Sequence, residues 1–333
     1  MAEAPVTFPH PREVAELMGA EPAEQAFLDA LQRGRLHHAW LLCGPEGVGK
    51  ATFAYRAARR LLGARPDERR GLLGADPADP VFRQVAARAH PDLLVLERKA
   101  ADTPARKSIP VDEARLLPEF FSKSPGSAPY RVAIIDAAED MNVNAANAVL
   151  KTLEEPPALG VLFLVSHRPG ALLATLRSRC RRLSIPPPSL ALAQTWLAEM
   201  GEIPPADAQA LLAMARGAPG RALRLAQAGA LALDETARRL VDRLPAVDHK
   251  EALALADGFR GEGGATRFAL LMDRLAAALS QRAAAASAES LRSADRWARA
   301  WEAVVGLPAE AEGLNLDRAD AFFTALARMR ALA

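Results

Sequence analysis

The sequence predicts an α/β domain built on a parallel sheet, followed by an all-helical region. Two observations predict this order. Up to residue 185, apolar runs of strand length alternate with amphipathic stretches, which is typical of parallel strands joined by helices on both faces of a sheet. From Leu190 to Ala333, apolar residues recur at helical spacing between short Gly, Pro or Asp breaks. We therefore expect three domains, over residues 1–187, 188–232 and 233–333.

Composition limits the classes of protein that fit. Half of the 333 residues are hydrophobic and a quarter are charged, which is ordinary for a folded protein. The formal net charge of +2 is lower than that of most dedicated DNA-binding domains. The two cysteines are too few for a disulfide framework, no apolar run approaches the ~20 residues of a membrane span, and no stretch is typical of a signal peptide. We expect a cytoplasmic protein without a membrane partner.

The predicted elements follow in the order that a phosphate-binding loop requires. A helix over 21–36 precedes a buried strand at 38–44 and a helix over 50–63. Further strands are expected at 91–98, 131–136, 160–166 and 181–185, and a polar loop at 99–107. The other helices are expected at 81–90, 111–125, 144–155 (capped by Asn142 or Asn144), 171–180, 190–201, 205–217, 220–229, 233–244, 265–286 and 317–329.

A glycine-rich loop, "GPEGVGK" from Gly44 to Lys50, joins the first strand to its helix. Gly44, Gly47 and Gly49 let the backbone turn tightly, so that successive N–H groups can point at phosphate oxygens. Lys50 adds a positive charge, and the following helix presents its positive end. The alternative is a glycine-rich turn with a structural role alone. The strand before the loop and the helix after it favour phosphate binding.

Two residues depart from what ATP hydrolysis needs. Ala51 replaces the Ser or Thr that supplies a ligand to Mg²⁺, and Thr52 projects about 100° further around the helix. Asp136 ends an apolar strand and is the second candidate nucleotide residue, but Ala137 stands where many ATPases place a glutamate that polarises the attacking water. The sequence therefore predicts a loop that binds ATP or ADP without a well-held Mg²⁺.

Several motifs in fixed order carry a resemblance to a known family. They run from about residue 8 to 225 and read "HHAWLLCGPEGVGKAT", "HPDL", "VAIIDAAEDMN", "NAANAVLKTLEEPP", "LVSHRP" and "LRSRCRRL". Together they closely resemble the AAA+ clamp-loader family of bacterial DNA polymerase III, and within it the delta-prime subunits, which are relatives of gamma/tau. The segment "GLNLDRADAFFTALARM" near the end is similar to the collar domain of that family.

The resemblance implies a P-loop AAA+ module, a small helical lid and a helical collar for the three predicted domains. It also implies assembly with gamma/tau and delta subunits into a complex that loads the sliding clamp on primer-template DNA. In that family delta-prime acts as a rather rigid stator, so the resemblance implies weak ATP hydrolysis or none.

The resemblance also implies roles for three polar residues. Arg179, in the "SRC" motif, would be an arginine finger that acts in trans on the ATP of a neighbouring subunit, although Arg177 to Arg182 also fit a solvated or DNA-facing basic run. Ser166 is similar to the residue that senses the γ-phosphate, and Arg221 to a second sensor. A strand-end serine that caps a turn and an arginine that begins a helix are the alternatives.

The sequence departs from the family at a metal site. Many relatives carry a four-cysteine zinc module at the position of residues 63–92. This segment has no cysteine, and His90 is its only imidazole, whereas zinc needs about four such ligands. We therefore expect no zinc, and we expect Cys43 to be a small core residue.

Two other functions remain open from the sequence. The first is a competent AAA+ ATPase of gamma/tau type, in which Thr52 or water completes the metal shell. The second is a nucleic-acid-binding module that uses the basic residues 177–182.

Overall fold

The computed structural model describes residues 9–98, 108–201, 203–261, 263–288 and 290–332. The polar loop predicted at 99–107 lies outside the described residues. The chain divides into two compact units, and the division falls between Ala222 and Leu223. The three domain ranges proposed from the sequence stay a prediction.

The first unit contains a five-stranded sheet in the order β2-β3-β4-β1-β5. Every pair of neighbouring strands is parallel, as the alternation of strands and helices predicts. Because all the strands run the same way, they all end at one edge of the sheet, here called the carboxyl edge, and begin at the opposite amino edge. The strands are β1 (Ala39–Cys43), β2 (Leu93–Glu97), β3 (Arg131–Asp136), β4 (Gly160–Ser166) and β5 (Arg181–Ser184).

The two faces of the sheet carry separate hydrophobic clusters. In β1, Trp40 belongs to one cluster and the adjacent Leu41 to the other, because successive side chains of a strand point to opposite faces. The Phe27 ring lies 5.3 Å from Trp40 and 5.8 Å from Phe163 on the first face. Such a central strand is buried on both sides, which explains its continuous apolar run.

The helices of the first unit follow the predicted order, with one break. Pro118 lacks the N–H that would bond to the carbonyl of Ala114, so the helix predicted over 111–125 divides at Arg115. Asn142 is the cap of the next helix, since its Oδ1 accepts from the Ala145 N–H at 2.8 Å. The helices are α1 (Glu21–Gln32), α2 (Lys50–Leu61), α3 (Pro80–Ala86), α4 (Val111–Ala114), α5 (Leu116–Ser122), α6 (Val143–Glu154), α7 (Ala174–Arg177), α8 (Leu190–Gly201), α9 (Pro205–Met214) and α10 (Pro219–Gln227), which crosses the division between the units.

The described part of the second unit is helical. Its core includes Phe259, whose ring makes edge contacts with Phe268 at 5.4 Å and with Phe322 at 5.3 Å. The helices are α11 (Ala230–Asp242), α12 (His249–Asp257), α13 (Gly264–Ser287), α14 (Leu291–Val305), α15 (Leu307–Gly313) and α16 (Arg318–Leu332). Helices α12, α14 and α15 lie between the segments for which the sequence predicts individual helices. In the part of the chain that the structure describes, no helix has the length and apolar character needed to cross a membrane.

Candidate functional site

The sheet order brings three predicted site elements together at the carboxyl edge. Strand β4 lies between β1 and β3, and Cys43 at the end of β1 is in register with Ser166 at the end of β4. The glycine loop follows β1 directly, and Asp136 ends β3. Parallel α/β folds bind ligands at this edge, so the topology places the loop, Asp136 and Ser166 where the sequence predicts a site.

The glycine loop is in close backbone contact with the beginning of α10. Gly47 has a φ of 84°, and its carbonyl accepts a hydrogen bond from the Gly220 N–H at 2.9 Å. A Cβ atom at Gly47 would lie 2.2 Å from the Arg221 nitrogen. Thus the structure places the backbone of Arg221 against the loop, whereas a sensor role for its guanidinium stays a prediction.

The two outer glycines of the loop are also closely covered. Gly49, with a φ of 95°, is the residue before α2, and a Cβ there would lie 2.3 Å from Leu17 Cδ1. A Cβ at Gly44 would lie 2.2 Å from the Ile185 carbonyl oxygen. The loop is therefore packed against the N-terminal segment, the residue after β5 and the beginning of α10, and all these contacts lie within the first unit.

The Lys50 side chain is bonded to the loop that it follows. It is 3% exposed, and its Nζ donates to the carbonyl oxygens of Gly44 at 2.8 Å and Pro45 at 2.6 Å. Burial lowers the pKa of Lys50 to about 8, while the nearby carboxylates of Asp136 and Glu139 act in the opposite direction. The ammonium group thus has two oxygen acceptors within its own loop.

The first turn of α2 lacks a hydroxyl at the position that would bind magnesium. Ala51 is half-buried there, and Thr52 is 8% exposed at the next position around the helix. A methyl group cannot ligate a metal ion, and Mg²⁺ prefers oxygen ligands in a strict octahedral arrangement. The residues of this turn do not fit a nucleotide held through Mg²⁺ in the usual manner.

Asp136 lies in a mainly acidic environment. Burial raises its pKa to about 6, and the neighbouring carboxylate of Glu97, which pairs with it across β2 and β3, acts in the same direction. Lys50 lowers the pKa but does not outweigh these effects. Metal binding requires the carboxylate form, which Asp136 loses as the pH falls through about 6.

Ser166 is fully buried and is hydrogen-bonded to Glu139, which is not among the site residues predicted from the sequence. The Ser166 hydroxyl donates to Glu139 Oε1 at 2.5 Å, and the Arg168 N–H donates to the same oxygen. Burial opposes the charge of Glu139, but these two hydrogen bonds outweigh it and lower its pKa. Glu139 lies in the short 3₁₀ turn Ala138–Asp140, and its carboxylate is part of the site. A glutamate three residues after a strand-end aspartate was the available signal.

Arg179 lies at the opposite edge of the sheet. It comes between α7 and the first residue of β5, whereas the glycine loop, Asp136 and Ser166 all come at strand ends. Strand β5 pairs with β1 in parallel from Arg181 onward and spans about 13 Å at 3.3 Å per residue. The predicted site residues therefore fall into two groups, and Arg179 is separated from the glycine loop of its own chain.

Arg179 also differs from the other arginines of the basic run. It is half-buried, whereas the other three are exposed. Its Nη2 lies 3.0 Å from Glu154 Oε1, and its Nη1 donates to the Thr175 carbonyl at 2.8 Å. Among the described residues it is the one arginine of this run with a carboxylate partner. The other members are Arg177, Arg181 and Arg182.

Hydrogen bonds hold the last residues of segment 63–92, the position at which the family resemblance implies a zinc module in relatives. The His90 Nδ1 accepts a hydrogen bond from the Asp92 N–H at 3.1 Å. Asp92 is fully buried and accepts from the N–H groups of Gly126, Ser127 and Ala128. His90 thus contacts a structural aspartate within the turn before β2. Cys43 is buried in the core, as predicted.

Comparisons with known proteins point to one family. A family model described as DNA polymerase III, delta subunit, matches residues 19–189, just over half of the chain. DNA polymerase III subunit delta' of Pseudomonas aeruginosa is 41% identical over 206 residues, which cover 61% of this chain and 60% of that protein. Its namesake in Yersinia pestis is 32% identical over 265 residues, covering 73% of this chain and 76% of the relative.

A protein with a different subunit name is also similar to this chain. DNA polymerase III subunit tau of Salmonella typhimurium is 31% identical over 172 residues, which cover 51% of this chain and 25% of tau. The match to the family model and the coverage of the Yersinia protein favour subunit delta' over subunit tau. The chain belongs to the delta-prime family of DNA polymerase III subunits.

Proposed function

We propose that this protein is the stator subunit of a clamp loader, acting on the ATP of a neighbouring subunit through Arg179. The observation that carries the proposal is the position of Arg179 at the amino edge, away from the glycine loop of its own chain. An arginine finger is useful only where it reaches a phosphate, and the chain's own candidate phosphate site lies at the other edge. A trans role is the arrangement consistent with both positions.

In this proposal the glycine loop is structural, and ATP hydrolysis by this chain is weak or absent. The Lys50 ammonium group donates to two carbonyl oxygens of its own loop, and the Ser166 hydroxyl donates to Glu139. Ala51 supplies no metal ligand. Any ATP or ADP bound here would be held without a well-held Mg²⁺. We also propose that the chain binds no zinc, because residues 63–92 contain no cysteine.

The proposed partners are gamma/tau and delta subunits, in keeping with the subunit names carried by the similar proteins. With them the chain would open the sliding clamp and place it on primer-template DNA in the cytoplasm. Mixing the chain with the gamma/tau and delta subunits of the same organism should give one stoichiometric complex on size exclusion. Failure to form that complex would contradict the stator assignment before any rate is measured.

The trans role is tested by Arg179→Ala in the reconstituted complex. Fingers of this type contribute roughly 10³ to 10⁵ in rate, so hydrolysis at the ATP site beside this chain should be almost abolished. The measured quantity is the clamp- and DNA-stimulated rate of the complex, which should fall by the share of that site. The matched control is Arg177→Ala, an exposed arginine of the same run, which should leave the rate unchanged.

A companion variant separates the stator from a competent ATPase of gamma/tau type. Lys50→Ala should not change hydrolysis by the complex if the loop is structural, because the site beside this chain belongs to the neighbour. Robust turnover by the isolated chain that Lys50→Ala abolishes would favour the ATPase and contradict the stator.

A further inference from the structure

The contacts of Arg179 extend the proposed function to a second residue. We infer that Glu154 is a positioning residue that holds the Arg179 guanidinium ready for the phosphate of a neighbouring subunit. This inference rests on the proposed trans role of Arg179. It assigns no contact between Glu154 and the nucleotide itself.

The guanidinium is held at two points that belong to different helices. Glu154 is the last residue of α6, and its Oε1 lies 3.0 Å from Nη2. Thr175 belongs to α7, and its carbonyl accepts from Nη1 at 2.8 Å. Two contacts from separate elements fix the plane of the group, whereas one contact would leave it free to rotate.

The two contacts leave most of the guanidinium available. An arginine has five N–H donors in a rigid planar fork, and these contacts use two of them. The side chain is 37% exposed, so the remaining donors can be reached from outside the chain. A phosphate is bound best by two parallel N–H groups of such a fork. Glu154 thus orients the group and still leaves donors for an anion.

The electrostatic setting gives the arginine a reason to need an anchor. Arg179 belongs to a short basic run with Arg177, Arg181 and Arg182. The carboxylate of Glu154 pairs with it at the end of α6, where the helix dipole also favours a cation. A free arginine side chain samples many rotamers, and holding it in place before the neighbour arrives removes that cost from the catalytic step.

Glu155 provides a matched control. It is the next residue, it is also an exposed glutamate, and no ion pair to it is present among the described residues. Substitution at Glu154 and at Glu155 changes net charge equally. A difference between the two variants therefore reports the contact with Arg179 rather than the loss of one acidic group.

The experiment measures clamp- and DNA-stimulated ATP hydrolysis in the complex reconstituted with gamma/tau and delta. Glu154→Ala should lower kcat roughly two- to fivefold, the range expected when an exposed ion pair is lost from the transition state. The KM for ATP should not change, because an arginine that acts only in the transition state affects kcat. Glu155→Ala should behave as the unsubstituted chain does.

A double-mutant cycle separates positioning from a structural role. In a chain that already carries Arg179→Ala, Glu154→Ala should cause no further loss, because the group that it positions is gone. An equal loss in both backgrounds would overturn the inference, as would a rate matching that of Glu155→Ala. A rise in rate would also overturn it, since Glu154 would then compete with the phosphate for Arg179.

The two proposals fail in distinguishable ways. If Arg179→Ala leaves hydrolysis unchanged, the trans role fails and the positioning role fails with it. If Arg179→Ala abolishes hydrolysis at the neighbouring site and Glu154→Ala does not change it, only the positioning role is rejected. Thermal unfolding of each variant and its incorporation into the complex verify that the chains compared are folded.

Discussion

At the carboxyl edge of the sheet, Lys50 and Ser166 are buried and bonded to oxygens of their own unit. At the amino edge, Arg179 is about one-third exposed, and only two of its five donors are used. The carboxyl edge retains the sequence of a phosphate site, but its Lys50 ammonium group and Ser166 hydroxyl are already paired within the chain. The amino edge lacks a motif of that kind but presents a charged group to the outside. The recognisable motif and the group available for chemistry therefore lie at different places in one domain.

The largest stability effect should come from the backbone at the carboxyl edge. Gly47→Ala would place a Cβ 2.2 Å from the Arg221 nitrogen at a φ of 84°, where non-glycine residues are strained. We expect the free energy of unfolding to fall by about 3 kcal/mol or more. Chemical denaturation measures it.

The matched glycine control is Gly170→Ala, where nothing lies within 4 Å of the added Cβ. Its effect should be within about 0.5 kcal/mol. If Gly47→Ala were tolerated as well as this control, the loop would be able to move away from α10. The close packing of the glycine loop against α10 would then make no measurable contribution to stability.

Local patterns account for most of the elements of the first unit. The apolar run of β4 has the same bounds in the sequence and in the structure, from Gly160 to Ser166, because a fully buried parallel strand shows itself as a continuous run. The order of strand, glycine loop and helix follows in the same manner. These features depend on neighbours in the chain, which a sequence displays directly.

The contacts that distinguish the two edges depend on residues distant in the chain. Glu139 reaches Ser166 across 27 positions, and the α10 backbone meets Gly47 from more than 170 positions away. The pairing of Glu154 with Arg179 needs α6 and α7 to lie side by side. No period or spacing in the sequence indicates these contacts between distant residues. The residue types at the site were therefore predictable, whereas their partners were not.

A smaller effect on stability should come from the charge of Asp136 at the carboxyl edge. The pKa of Asp136 is raised from 3.8 to about 6, so its charged form is disfavoured in the folded chain. The resulting loss of stability is absent below pH 3.8, grows between pH 3.8 and 6, and is complete above pH 6. Asp136→Asn should therefore raise the free energy of unfolding at pH 7 by about 1 to 2 kcal/mol.

The pH dependence is the sharper part of this test. The gain from Asp136→Asn should shrink as the pH falls from 6 to 3.8 and should vanish below that range. Asp112→Asn, at an exposed aspartate of α4, should show no comparable gain. A loss of stability for Asp136→Asn at pH 7 would mean that Lys50 stabilises the aspartate more than burial penalises it.

The smallest effect on stability should come from a serine at the carboxyl edge, which is compared with a serine at the amino edge. Ser166→Ala removes the 2.5 Å hydrogen bond to Glu139 from a fully buried site, and we expect the free energy of unfolding at pH 7 to fall by about 1 kcal/mol. Ser178→Ala removes an exposed bond of 3.1 Å to the Thr175 carbonyl and should change stability by less than about 0.5 kcal/mol. The pKa of Glu139 is lowered from 4.5, so its contribution is present above pH 4.5 and is lost as the pH falls through the lowered pKa. The cost of Ser166→Ala should shrink over the same acidic range in urea unfolding curves, whereas that of Ser178→Ala should not. Equal costs for the two serines at pH 7 would mean that burial does not make the polar contacts of the carboxyl edge stronger than those of the amino edge.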